Sequence, residues 1–137
     1  MLEDIALMRV LPGMTVIVPA DAVETKQAIL AAAEYEGPVY IRLGRPKVPV
    51  LFDEAYRFQI GKGVLMQDGS DVTLIATGIM VSKALEAAEL LQAEGISAAV
   101  INISTIKPLD TGLIAKMAEK TGAVVTCEEH NIIGGLG

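Results

Sequence analysis

The chain has 137 residues, 52% of them hydrophobic, 20% charged and 4% aromatic, with 11 basic and 17 acidic residues for a net charge of −6. Such a balance describes a well-buried α/β protein with an aliphatic core; it excludes disorder, and without a Lys/Arg stripe it excludes a nucleic-acid partner. No apolar run approaches the roughly 20 residues that cross a bilayer, and Met1-Leu2-Glu3-Asp4 lacks a signal-peptide pattern, so a cytoplasmic chain with no membrane partner is expected.

Asp4 to Leu11 carries near-helical spacing up to the stop at Pro12-Gly13. Met14 to Val18 is a β-branched apolar run, a strand, and Pro19-Ala20-Asp21 ends it with Asp21 placed to cap the next helix. That helix is predicted from Ala22 to Tyr35, with Gly37 supplying the left-handed stop, and a second strand from Val39 to Leu43. Two apolar strands of this kind belong to a parallel sheet covered on both faces, and two alone do not bury it. The segment therefore reads as the tail of an α/β domain whose earlier strands lie outside the chain.

Gly44 to Ala55 carries two prolines, Pro46 and Pro49, and suits a connection between domains, with the boundary near Asp53. Phe58 to Ile60 and Gly63 to Met66 then flank Gly61-Lys62 and predict a small antiparallel ribbon. Three further strands are expected at Val72 to Ala76, Ala98 to Ile103 and Ala123 to Cys127. The helices between them place Val81, Leu85, Ala88 and Leu91 on one face, then Leu113, Ile114, Met117 and Ala118 on another, closed by Gly95 and Gly122. Together these make a doubly wound unit that stops in a glycine-rich strand-to-helix turn. The expected division is residues 1–52 as the end of a parallel-sheet domain, 53–65 as linker and ribbon, and 66–137 as an incomplete second domain, both domains truncated.

The single cysteine, Cys127, reads as a small core residue near a strand end, and His130 is the only histidine. Neither an internal disulfide, a His/Cys metal cluster nor a His-bearing nucleophilic triad follows, so no metal site is expected within the chain. Gly134-Gly135-Leu136-Gly137 sits where a phosphate-cradling loop would, yet matches neither the dinucleotide fingerprint nor the P-loop; close backbone approach at a tight turn is the expected reading, with phosphate binding as the alternative. Glu128, Glu129 and His130 lie at the carboxyl end of a strand, where open α/β sheets place ligands. They suit proton transfer, and they suit satisfying backbone donors or bridging an interface. Arg42, Arg45 and Lys47 form a loop able to grip a phosphate or carboxylate, or to stand as solvated charges.

Glu3 to Arg9 with Leu11-Pro12-Gly13-Met14 and Val18-Pro19-Ala20-Asp21 resembles the second half of the transketolase pyrimidine-binding domain. Ala76-Thr77-Gly78, Thr105-Ile106-Lys107-Pro108-Leu109-Asp110, Glu128-Glu129-His130 and the final glycine run resemble the transketolase C-terminal domain. The resemblance spans the chain and is nearest to the C-terminal subunits of split transketolases.

It implies a two-carbon ketol transfer between sugar phosphates, with thiamine diphosphate and a divalent metal such as magnesium in the full assembly and none held by this chain alone. The implied partner is an N-terminal diphosphate-binding subunit or domain, in a homodimer or heterotetramer. The family's activating glutamate and histidine-bearing loop would precede Met1, so no catalytic or cofactor-binding residue is assigned. Arg45, in Arg42-Leu43-Gly44-Arg45, stands where similar transketolases have an arginine on the sugar phosphate, although serine often replaces Gly44 in the family. 1-Deoxyxylulose-5-phosphate synthases, 2-oxo acid dehydrogenase β subunits and a noncatalytic oligomerisation or regulatory module remain as alternatives.

Overall fold

A computed structural model describes residues 1–137 throughout. Helix α1 (Asp4–Val10), strand β1 (Thr15–Ile17), helix α2 (Ala22–Glu34) and strand β2 (Val39–Ile41) come first. β1 and β2 are parallel, with Thr15 opposite Val39 and Ile17 opposite Ile41. Asp21 caps α2: its backbone is extended at φ −148°, and its carboxylate accepts from the Glu24 amide at 2.7 Å. The other end of α2 differs from expectation. The chain leaves the helix at Tyr35, which is already extended at φ −82° and ψ 132°, before Gly37 is reached.

β3 (Val64–Gln67), β4 (Val72–Ala76), helix α3 (Met80–Ala93), β5 (Ala98–Asn102), β6 (Thr105–Lys107), helix α4 (Thr111–Thr121) and β7 (Val124–Cys127) follow. Four of these strands form one sheet in the order β3-β5-β4-β7, with β4 parallel to both β5 and β7 and β3 antiparallel at the edge. Alternate side chains of a strand point to opposite faces. Leu74, Ala76, Ala98 and Val100 accordingly meet Val81, Ala84 and Ala88 of α3 on one face. Ile75, Ala99 and Ile101 meet Met117 of α4 on the other. Alanines on both sides of the α3 interface let helix and sheet approach closely, and each fully buried large aliphatic side chain contributes about 2 kcal/mol.

The chain runs from β4 to β5 on one side and returns to β7 on the other side of β4. The carboxyl ends of β4 and β7, leading into Thr77-Gly78 and Glu128-Glu129, therefore flank the point where the winding reverses.

Tertiary contacts overturn one expectation and add one strand that was not expected. The ribbon of residues 58–60 and 63–66 does not form: Phe58 is buried with Ile17 and Ala28, its amide donates to Gln27 Oε1 at 2.8 Å, and β3 pairs with β5. A side chain of α2 thus satisfies the backbone that a ribbon partner was expected to satisfy. The second difference is β6, which pairs antiparallel with β1 and completes a three-stranded sheet in the order β2-β1-β6. Lys107 at its end reaches α1, donating to the Arg9 and Leu11 carbonyls at 2.8 and 2.7 Å, which have no partner within the helix.

Gly78 shows how tightly the two sheets meet. Its amide donates to the Val18 carbonyl at 3.2 Å, its φ is +57°, and an added Cβ would lie 2.8 Å from Val18 Cγ1. Only glycine fits that conformation and that gap.

Candidate functional site

Beyond β2 the backbone continues the ladder for one more residue, the Arg42 amide donating to the Ile17 carbonyl at 2.8 Å. Tyr40 and Arg42, two residues apart, therefore project to the same face, towards the first turn of α1. There Asp4 Oδ2 accepts from the Tyr40 hydroxyl at 2.8 Å and from Arg42 Nε at 2.9 Å. Arg42 Nη1 donates to Glu129 Oε2 at 3.0 Å, so one guanidinium joins α1 to the corner after β7. The side chains of Arg42 and Asp4 are only 14% and 6% exposed, so water screens this pair far less than a surface pair.

Burial disfavours the charged form of Asp4, but the Tyr40 hydroxyl and the Arg42 guanidinium outweigh it and hold the carboxyl below its ordinary value. Burial and then the Asp4 bond push the Tyr40 phenol up. The cluster is thus a neutral-phenol, ionised-carboxylate arrangement at neutral pH.

These residues form the wall of a cleft of about 600 Å³, together with Met1 and Arg45. Arg45 is exposed and makes no hydrogen bond or ion pair. The loop that carries it packs through Gly44, where an added Cβ would lie 3.2 Å from Ile79 Cγ2. A side chain at this position would crowd Ile79. A larger cavity of about 770 Å³ lies across the same loop, lined by Ile29, Leu30, Leu43, Val48 and Ile79. Its one acid, Asp21, is already occupied by the Leu51 and Phe52 amides at 2.7 and 2.9 Å, while Lys26 and Lys47 line it without a hydrogen-bond or ion-pair partner.

Of the three cations in the loop, Arg42 is taken by two carboxylates and is not a free anion grip, while Arg45 and Lys47 are exposed. The corner residues part company. Glu129 joins the cleft. Glu128 turns over the glycine run and accepts from the Leu136 and Gly137 amides at 2.7 and 3.2 Å. His130 Nδ1 is 2.8 Å from the Asn131 carbonyl, and its Nε2 is buried without a partner.

The glycine run is a close-approach turn. Gly134 has φ +75°, and an added Cβ would meet Ala6 Cβ at 2.7 Å, while Arg9 donates to the Gly134 and Gly135 carbonyls. Its amides bind an anion, and that anion is the chain's own Glu128. No group of three or more His, Cys, Asp or Glu side chains is placed to hold a metal ion.

Asp4 and Tyr40 went unnoticed in the sequence; an acid in a helix's first turn and a Tyr-x-Arg pair on one strand face are the signals that point to them. A second buried hub was missed as well. Glu24, fully buried, accepts from the Ala20 amide at 2.7 Å, the Tyr56 hydroxyl at 2.7 Å and Asn102 Nδ2 at 2.9 and 3.1 Å.

Residues 61–137 match the profile of the transketolase C-terminal domain, and residues 1–50 that of the transketolase pyrimidine-binding domain. A solved split-gene transketolase, described as an inactive β4 tetramer, is 56% identical with a TM-score of 0.97, over 98% of this chain and 45% of that one. A putative transketolase C-terminal section of Methanocaldococcus jannaschii is 48% identical, over 100% of this chain and 43% of that protein. A 1-deoxy-D-xylulose-5-phosphate synthase of Heliobacterium modesticaldum is also 48% identical, over 99% of this chain and 21% of that protein. The chain spans less than half the length of these relatives. With both profiles matched and the α/β fold shared with the split-gene transketolase, the chain belongs to the transketolase family.

Proposed function

We propose that this chain is the pyrimidine-binding and C-terminal part of a thiamine-diphosphate-dependent transketolase that moves a two-carbon ketol unit between sugar phosphates in the cytoplasm. It works with an N-terminal diphosphate-binding subunit or domain, in a homodimer or heterotetramer, and is inactive alone. The observation that carries this reading is the cleft: Arg42 is neutralised by Asp4 and Glu129, which leaves Arg45 as the arginine in it with no acidic partner. An exposed guanidinium against such a wall suits bidentate recognition of a sugar phosphate.

Thiamine diphosphate supplies the carbanion chemistry when bound. The groups present here do not fit its diphosphate or metal, because the glycine-turn amides are filled by Glu128 and no metal-ligating trio exists. Those parts fall to the partner, and the role proposed for this chain is to position the sugar phosphate through Arg45.

The test is two-carbon transfer from a ketose phosphate to an aldose phosphate with thiamine diphosphate and magnesium, by this chain alone and with its partner. Activity in the assembly only is expected, and Arg45→Ala should then lower the specificity constant for phosphorylated sugar by about 1–3 kcal/mol. Activity of the isolated chain would refute the division of labour, and an unchanged specificity constant would refute the role of Arg45. The 48% identity to a synthase favours a second reading, in which the assembly forms 1-deoxyxylulose 5-phosphate. Detection of that product, without ketol transfer, would establish it instead.

A further inference from the structure

We infer that Arg42 is a positioning residue for Arg45: its guanidinium, held between Asp4 and Glu129, sets the start of the loop and so the place of the Arg45 side chain in the cleft. The inference rests on the proposed phosphate role of Arg45.

Residues 43–50 make no hydrogen bond, through backbone or side chain. Such a loop takes its course from its two ends and from whatever it packs on. The far end is fixed by Asp21, which accepts from the Leu51 and Phe52 amides. The near end is Arg42, whose amide makes the last ladder bond to Ile17 and whose side chain spends all three guanidinium nitrogens, on Asp4, Glu129 and, at 3.5 Å, the Met1 carbonyl. Between the ends the loop is held by packing alone: Gly44 lies close enough to Ile79 that an added Cβ would sit 3.2 Å from Ile79 Cγ2, and Val48 is partly buried.

Arg45 is three residues from the near anchor at Arg42 and six from the far one at Leu51, so Arg42 governs it more closely. A planar fork between two acids from different parts of the chain resists rotation about each bond, which a single ammonium contact does not. Glu129, which also lines the cleft, gives the corner after β7 a hold on this loop through Arg42.

The experiment uses the enzyme assembled with its diphosphate-binding partner, thiamine diphosphate and magnesium. Kinetics are measured with fructose 6-phosphate and with fructose, which lacks the phosphate, for wild type, Arg45→Ala, Arg42→Lys and Glu129→Gln. Arg42→Lys keeps the charge and loses the fork. We expect both Arg42→Lys and Glu129→Gln to raise KM for fructose 6-phosphate about tenfold with little change in kcat, and to leave the constants for fructose in place. If Arg45→Ala raises that KM while the other two variants match wild type, the inference is overturned and the role of Arg45 stands. If Arg45→Ala changes nothing, both fall. Equal losses with the two sugars would mark Arg42 as a general structural residue and overturn the inference too. Should Arg42→Lys fail to assemble, Glu129→Gln decides, since that side chain is 40% exposed and tolerates an isosteric change.

Discussion

Glu24→Gln keeps the size and shape of a fully buried side chain and removes its charge. The native carboxylate receives donors from three parts of the chain: the Ala20 amide before α2, the Tyr56 hydroxyl in the connecting segment and the Asn102 amide at the end of β5. A hydrogen bond to a charged group contributes about 1.5–3 kcal/mol and a neutral one about 0.5–1.5, so three such bonds lose about 3 kcal/mol together. The glutamine is cheaper to bury than an ion, which offsets part of this, and the net expectation is about 2 kcal/mol. At this chain length that corresponds to about 8 °C in Tm. Glu24→Ala strands all three donors and should cost about 4 kcal/mol.

Urea unfolding followed by circular dichroism measures both variants. A Glu24→Gln protein within about 0.5 kcal/mol of wild type would refute the view that the charge holds these segments together. The Tyr56 phenol supplies an independent readout. Burial raises it first and the Glu24 carboxylate second, so in Glu24→Gln its spectrophotometric titration should move to lower pH.

Asp110 caps α4 through the Leu113 amide at 3.1 Å and also accepts from the Gly63 amide at 3.0 Å, so Asp110→Ala should cost about 2 kcal/mol in the same unfolding assay. Met117→Ala empties the α4 side of the larger sheet and should cost about 3 kcal/mol; a loss below 1 would mean that the surrounding Ile75, Ala99 and Ile101 collapse into the space. Asp4 supplies a pH test. Burial opposes its charge, yet Tyr40 and Arg42 hold the carboxyl below the ordinary 3.8, so its stabilisation is complete above that pH and is lost as the pH falls through the lowered value. The stability advantage of wild type over Asp4→Asn should therefore be present at about pH 6 and shrink below about pH 3.8, as urea melts at the two pH values will show.

Local chemistry was legible wherever one segment answers its own needs. Val72–Ala76 is a strand as expected, Asp21 caps α2, and Gly122 ends α4 in the left-handed conformation at φ 70°. The loop after β2 was legible as an anion-binding candidate, because charge beside a strand end is visible in sequence. Which arginine stays free was not. Arg42 and Arg45 look alike as residues, and only the arrival of Asp4 and Glu129 from distant parts of the chain separates them.

Periodicity and turn residues by themselves determined that this is an α/β chain with a doubly wound C-terminal portion, since burial on two faces demands apolar strands and small, regularly spaced helix faces. Tertiary structure alone decided that Thr105–Lys107 pairs with β1, that Phe58 lies under α2, and that Glu128 fills the glycine turn. Each of these satisfies a backbone or charged group with a partner far away in sequence, and a hydrogen bond depends on where two atoms meet in space, which no local pattern records.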